Sequence, residues 1–361
     1  MNKPINLFGY ESLAPQNLSQ MALDYYASGA WDEITLRDNR TAYERYKFRP
    51  RMLVDVSQRN LTTKILGQHI SMPILIAPMA FQCLATPKGE LATAKVAADL
   101  GTIMVLSTLS TKKLEDVALA SNLPKSLWFQ LYVHRDRSLT RALVERAEAA
   151  GYQALCLTVD APILGRRERD RQNQFTLPSG MELANLTAMA NLEIPKTQDE
   201  SGLFTYFANQ LDPALTWKDI EWLQSLTSLP VVVKGILRGD DAIRAVEHGA
   251  KAIIVSNHGG RQLDSTIATI DALSEVVAAV GNQVDVLMDG GIRRGTDILK
   301  ALALGAKAVL IGRPILWGLA VDGEAGVCHM LELLRDELDV AMALSGCAKI
   351  EDIDASLVRH V

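Results

Sequence analysis

The chain has 361 residues, 48% hydrophobic and 22% charged, with a mean hydropathy of +0.08. That is enough apolar side chain to bury a large core, which excludes an intrinsically disordered chain. Lys and Arg number 37 against 42 Asp and Glu, a net charge of −5. The basic excess needed to hold a phosphate backbone is therefore absent, and nucleic acid is not an expected partner.

The first residues, MNKPINLFGYESLAPQ, lack the apolar run of a signal sequence, and nowhere do 18 apolar residues follow one another. No membrane span is expected. The four cysteines, Cys83, Cys156, Cys328 and Cys347, show no C-x-x-C spacing, so neither a zinc cage nor a disulfide framework is indicated. A reducing, cytoplasmic location follows as the expectation, and no residue is assigned to a metal.

Residues 1–71 read as an N-terminal extension, in which LSQMALDYYASGA has helical spacing and is expected to lie across one mouth of the domain that follows. Eight short apolar runs then read as strands: 72–78, 103–107, 127–132, 154–160, 230–235, 252–257, 285–290 and 308–312. Several are apolar on consecutive residues, the pattern of strands buried on both faces, hence of a parallel sheet. Between them, stretches such as GELATAKVAADLG, SLTRALVERAEAAG, DDAIRAVEHGA and TDILKALALGA have helical spacing and end at or near glycine.

Six of the seven strand-to-strand intervals span 22 to 33 residues, which predicts a single α/β domain built as a (β/α)8 barrel with its strands in 72–312. An open doubly wound sheet is disfavoured by the missing Gly-rich fingerprint after the first strand. The interval after the fourth strand is 76 residues, so 161–214 reads as an insertion. It leaves from the C-terminal end of a strand and would overhang the active-site face as a lid. Residues 313–361 are expected to be C-terminal helices.

Polar residues at the C-terminal strand ends are the candidates for chemistry. Those ends supply Gln130 and Tyr132, Thr158 and Asp160, Lys234, then Ser256, Asn257 and His258 with Arg261 just beyond, Asp289 and Arg293, and Arg313; Arg166 and Arg167 open the insertion. The loops DGGIRRGTD and IGRP place glycines and arginines where barrels hold phosphate, by backbone N–H groups and a helix N-terminus. Lys234 ends the apolar run VVVKG, where a cation needs an anion or ligand unless it turns into solvent. His258 in SNHGGRQ can serve as a general base oriented by Asp160, and Arg261 and Arg167 around it describe a site for a carboxylate substrate. By spacing alone, Tyr25 and Tyr26 read as core.

Taken together, DYYASGA, FQLYV, LTVDAP, GRRE, LPVVVKG, VSNHGGRQLD, DGGIRRGTD and IGRP resemble the FMN-dependent L-2-hydroxy-acid oxidase and dehydrogenase family, nearest its soluble glycolate and lactate oxidases. That resemblance implies FMN across the barrel mouth, its phosphate on Gly291, Arg293, Gly312 and Arg313. Its ring system would be lined by Ala77, Pro78, Met79, Ser107, Gln130 and Thr158, with Lys234 at the N1/O2 side. Tyr132, Ser256, Asp289, Gly290 and Ile292 complete the implied cofactor set.

The resemblance also implies a carboxylate clamp of Arg167, Arg261 and the Tyr25 hydroxyl. Tyr132 would bond the substrate hydroxyl, and His258, supported by Asp160, would take the hydroxyl proton or the α-proton as two electrons pass to the flavin. Met79 and Leu109 stand where plant glycolate oxidases carry Thr and Trp, and Phe207 is placed as a further apolar wall. These choices predict oxidation of L-lactate to pyruvate with reduction of O2 to H2O2, glycolate being also accepted; the resemblance implies a homotetramer. The competing readings are a glycolate oxidase, a flavin-free phosphosubstrate isomerase or lyase, and a non-catalytic binding barrel.

Overall fold

The computed structural model describes residues 3–121, 127–190, 192–196 and 201–361. Eight parallel strands close into a barrel: Ile74–Ile76, Met104–Leu106, Leu127–Leu131, Leu155–Thr158, Val231–Ile236, Ala252–Val255, Asp285–Met288 and Ala308–Ile311. Seven of the eight lie inside a run expected from sequence, and the fifth passes the end of its run, 230–235, by one residue, Ile236. Closure is made by the eighth strand pairing with the first, Val309 opposite Ile74 and Ile311 opposite Ile76.

The unbroken apolar runs have a direct explanation in two separate buried clusters. One fills the barrel, with Leu75, Val105, Trp128, Cys156, Val232, Ile254, Leu287 and Leu310 pointing inward. The other lies between strands and helices and takes the alternate residues, among them Ile74, Ile76, Leu106, Phe129, Leu157, Val233 and Ile253. Period-2 alternation is thus present but invisible to hydropathy, because both faces are covered.

The helices Glu90–Asp99, Arg137–Ala149, Gly239–Glu247 and Gly295–Ala303 occupy the stretches read as helical. Each is followed two residues later by a glycine at positive φ, Gly101, Gly151, Gly249 and Gly305, the conformation that ends a helix at little cost.

Within the extension, the helix Gln20–Ala27 is capped by the Ser19 side chain and brings Tyr25 and Tyr26 to the C-terminal mouth. The opposite mouth is closed by a hairpin that sequence reading did not resolve, Thr63–Ile65 with Gln68–Ile70. Its Ile65 and Ile70 join the interior cluster, and the Leu66 N–H donates to Asp285 at the start of the seventh strand (2.8 Å).

The insertion carries three helices, Glu168–Gln172, Ala184–Ala190 and Gly202–Gln210; its residues 191 and 197–200 lie outside the described residues. Residues 313–361 are not all helix. After the long helical stretch Arg313–Ser345, broken at Asp322 and Gly323, the chain ends in Val358–His360, paired antiparallel with Tyr46–Phe48. Among the described residues no helix is long and apolar enough to cross a membrane.

Candidate active site

A cleft with an empty volume of about 1140 Å³, open to solvent, lies at the C-terminal mouth. Its walls bring together residues from every expected source. The strand ends contribute Ala77, Pro78, Met79, Ser107, Leu109, Gln130, Tyr132, Thr158, Lys234, His258, Arg261, Asp289, Gly290, Gly291, Ile292, Arg293, Gly312 and Arg313; Tyr25 comes from the extension, and Arg167 and Phe207 from the insertion.

His258 occupies the left-handed region at φ 57°, a conformation sparsely populated by residues other than glycine and common at functional sites. Its backbone N–H donates to the Ser256 hydroxyl (3.1 Å), and its Nδ1 lies 2.8 Å from Asp160 Oδ1. Nε2 is left facing the Tyr132 hydroxyl at 3.5 Å. Burial lowers the imidazole pKa; Asp160 opposes that and the cations Lys234 and Arg261 reinforce it. The group is therefore neutral near pH 7, as a base must be. Burial alone would raise the Asp160 pKa, but His258 and Lys234 outweigh it and the carboxyl stays ionised.

The close approach of Asp160 depends on a β-bulge in the fifth strand between Lys234 and Ile236. Gly235, at φ +115°, would with a Cβ stand 2.7 Å from Asp160 Cβ and 2.9 Å from its N. Only glycine leaves that space.

Lys234 has not escaped into solvent. It is 3% exposed, donates to Ser256 Oγ (2.8 Å) and pairs with Asp289 Oδ2 (3.2 Å). Burial would lower its pKa, yet Asp289 and Asp160 outweigh burial and keep it raised and charged. Ser256 is fully buried, and its hydroxyl accepts from Lys234 Nζ and from the His258 N–H, so it ties together two residues of the cleft.

Two cations, Arg167 and Arg261, line the cleft near one another. Arg167, 4% exposed, donates its Nε to Asp170 (2.5 Å). Arg261 donates Nη1 to the carbonyls of Tyr25 (2.6 Å) and Ser28 (3.0 Å). The Tyr25 ring packs under both guanidiniums, 4.9 Å from that of Arg261 and 5.7 Å from that of Arg167, and is stacked on Phe175 at 4.4 Å. Burial first, then Arg167, lowers the Arg261 pKa. A carboxylate placed there would relieve both effects.

The two loops expected to hold phosphate differ in how far the protein satisfies them itself. Arg313 lines the cleft and donates to the carbonyls of Tyr26, Gly259 and Ser28, but no carboxylate of the described residues bonds it, and burial pushes its pKa down to about 9. Such a cation calls for an anion. A Cβ on Gly312 would meet only Ala77 Cβ, at 3.8 Å, so glycine there keeps the wall low.

The helix N-terminus after the seventh strand does not fit that expectation. Its Arg293 and Arg294 amides donate to Asp297 (2.9 and 3.0 Å) and the Gly295 amide to Glu337 (2.8 Å), so the protein caps this helix itself. The Arg293 side chain is also engaged, at 3.2 Å from Glu11.

Sequence reading missed Tyr26, Leu164, Leu203, Gly259 and Gln262 as cleft residues. Gln262 ties the sixth-strand loop to the root of the insertion, donating to the carbonyls of Asp160 and Ile163 and accepting from the Gly165 N–H. Its place inside SNHGGRQ was the available signal.

The polar atoms left over test which group the cleft fits. Gln130 Nε2 and Asp289 Oδ1 are buried without a hydrogen-bond partner, and such atoms are normally satisfied by a ligand or water. An amide donor, a carboxylate acceptor, a buried lysine and an anion-seeking Arg313 around an apolar floor match a flavin with a polar ribityl chain and a phosphate.

Comparison with known proteins decides the matter. Residues 14–360 match the FMN-dependent dehydrogenase family. The chain belongs to that family. It is 69% identical to the L-lactate oxidase of Nostoc sp. (strain PCC 7120), over 99% of each chain. With glycolate oxidase 3 of Arabidopsis thaliana it shares 54% identity, over 98% of this chain and 95% of that one. The solved structure of mandelate oxidase with (S)-4-hydroxymandelic acid superimposes with a TM-score of 0.93 at 44% identity, covering 99% of this chain and 98% of that one. FMN is thus the cofactor for which the Gln130, Asp289, Lys234 and Arg313 groups fit, and a flavin-free phosphosubstrate barrel is set aside.

Proposed function

We propose that this family member is an L-2-hydroxy-acid oxidase whose preferred substrate is L-lactate, with glycolate as a smaller second substrate: L-lactate + O2 → pyruvate + H2O2. The observation that carries the reading is the wall beside the base. Leu109 and Met79, both buried, line the cleft together with Tyr132, His258 and Arg261. A leucine in place of an indole leaves room for a methyl group at the substrate Cα, and burying that methyl is worth about 1–3 kcal/mol. The 69% identical L-lactate oxidase supports the same choice.

FMN, when bound, supplies the two-electron acceptor that O2 later reoxidises. The chain's own residues do the rest. Arg167 and Arg261 hold the carboxylate, with the Tyr25 hydroxyl as a third donor. Tyr132, its pKa raised chiefly by burial, keeps its proton and directs the substrate hydroxyl. His258 Nε2 takes a proton from the substrate, and the imidazolium so formed is held by Asp160 at Nδ1.

For the cofactor, Gln130 and Lys234 would bond the ring, Asp289 the ribityl hydroxyls, and Arg313 with Gly291 and Gly312 the phosphate, with Arg293 at its edge. Lys234 places a charge where electron density grows on reduction.

The assembly is proposed to be a homotetramer in the cytoplasm. Trp31, Ile34, Met52, Leu53, Ile163, Leu263, Ile267, Val340 and Leu344 are exposed apolar residues, the kind of surface that subunit interfaces cover. Native mass measurement at the 39.5 kDa monomer value would refute it. Oxygen-consumption kinetics test the activity itself: kcat/KM for L-lactate is expected to exceed that for glycolate, and the reverse order overturns the substrate assignment. His258→Ala should abolish turnover; a binding barrel would keep its function.

A further inference from the structure

Outside the chemistry described above, a second buried histidine stands next to the cleft. His134 is 1% exposed and follows Tyr132 by two residues on the exit of the third strand. Its Nε2 lies 2.9 Å from the hydroxyl of Tyr206, on the insertion helix Gly202–Gln210. The neighbouring Phe207 packs edge-on against Tyr132, with ring centroids 5.4 Å apart at 71°. Two alternate residues of the strand exit, 132 and 134, therefore meet two consecutive residues of the lid helix, 207 and 206.

Among the described residues, main-chain bonds to the third-strand exit hold the far end of this helix, while at the near end the Ser201 hydroxyl donates to the Phe175 carbonyl (3.3 Å) and the Pro195 carbonyl leaves no room for a Cβ on Gly202. The Arg135 N–H donates to the Gln210 carbonyl (2.9 Å) and the Asp212 N–H to the Val133 carbonyl (3.0 Å). Upstream, the helix buries Gly202, Leu203, Tyr206 and Phe207, the i, i+3, i+4 stripe of one face. Apolar packing on such a stripe tolerates rotation; a directional bond does not. The Tyr206 hydroxyl is the one polar side-chain group among those four residues. Because His134 Nδ1 has no partner among the described residues, the bond to Tyr206 is the ring's one hydrogen bond within them, and losing it would leave two buried polar groups unsatisfied.

We propose that His134 and Tyr206 form a specificity-determining positioning pair: their bond sets the rotation of the lid helix, so that Phe207 stands against Tyr132 as the wall on which the substituent of the substrate Cα packs. This rests on the lactate reading of the same cleft. The pair touches neither substrate nor cofactor and acts through Phe207. Burial, which pushes the His134 pKa down to about 4, keeps the imidazole neutral and the bond intact across the working range.

The test is Tyr206→Phe in the FMN-loaded enzyme, a change that deletes one hydroxyl. Its kcat/KM for L-lactate is expected to fall about fivefold or more, chiefly through KM, while that for glycolate, which has no substituent to pack, stays within about twofold. His134→Leu removes the other half of the bond and gives the same change in the lactate-to-glycolate ratio. In a Phe207→Ala background, Tyr206→Phe gives no further change in that ratio, since the route through Phe207 is gone.

A merely structural pair would lower the Tm of both variants and leave the ratio as in the wild type, which overturns the proposal; so does an equal loss with both substrates. Failure of the lactate reading shows separately, as a wild type that prefers glycolate. In that case the ratio of L-2-hydroxybutyrate to glycolate reads the pair by the same criterion.

Discussion

Replacing Asp160 by Asn keeps a hydrogen-bond acceptor beside His258 and removes one charge. In the resting enzyme little changes, because His258 is neutral. The consequence falls on the moment when His258 holds the substrate proton, an imidazolium 2.8 Å from Asp160 with Lys234 and Arg261 as further cations nearby.

Opposite charges about 4 Å apart in a protein of effective dielectric about 20 attract by about 4 kcal/mol. At about 1.4 kcal/mol per factor of ten, with part of the loss recovered by the remaining hydrogen bond, the rate of flavin reduction should fall about 10²–10³-fold. KM for L-lactate should change little, because the clamp of Arg167 and Arg261 is untouched. Asp160 raises the His258 pKa, so in Asp160→Asn the acid limb of the rate profile should also move to lower pH. Anaerobic stopped-flow reduction with L-lactate measures both. A variant that reduces flavin within about fivefold of the wild-type rate would refute the assignment of Asp160 as the partner that holds the imidazolium.

Three further outcomes are expected. In the wild type, kcat/KM should be flat above about pH 6.5 and fall only as the pH drops below that value, since the His258 pKa is lowered from the usual histidine range; a limb centred at or above it contradicts a neutral buried base. Leu109→Trp should shift preference from L-lactate toward glycolate, by about tenfold or more in the ratio of kcat/KM, by filling the space of the methyl group.

His134 takes up its proton near pH 6.5 when unfolded but only near 4 when folded. Its contribution is therefore full above about pH 6.5 and lost as the pH falls toward 4, about 3 kcal/mol in all. Denaturant titrations should accordingly show a shallower acid decline of stability in His134→Gln than in the wild type.

The barrel was legible because its strands are continuous apolar runs bounded by turns, and because the repeat of strand and helix recurs at regular intervals. Pairing at a distance left no such mark. Thr63–Ile65 and Gln68–Ile70 are three-residue strands with polar members, and Tyr46–Phe48 finds its partner at the far end of the chain. The strand-end rule located nearly all of the cleft, since in a barrel the position along a strand fixes the mouth a side chain serves.

It says nothing of a side chain's direction or its local partner, such as the Ser256 hydroxyl that accepts from Lys234 and from the His258 N–H. The Arg-Arg-Gly-Thr-Asp segment read as part of a phosphate cradle also carries its own cap, Asp297, which accepts from the Arg293 and Arg294 amides. Leu164 and Leu203 reach the cleft only through the path of the insertion, which no local spacing encodes.

The most direct test of a flavin-dependent lactate oxidase is the visible spectrum of the purified protein under anaerobic conditions, before and after L-lactate, with glycolate in parallel. A flavin band that L-lactate bleaches faster than glycolate, and that returns on admitting air, is the predicted result. A protein that carries no flavin and takes up no added FMN, or a band that L-lactate leaves unchanged, would contradict it.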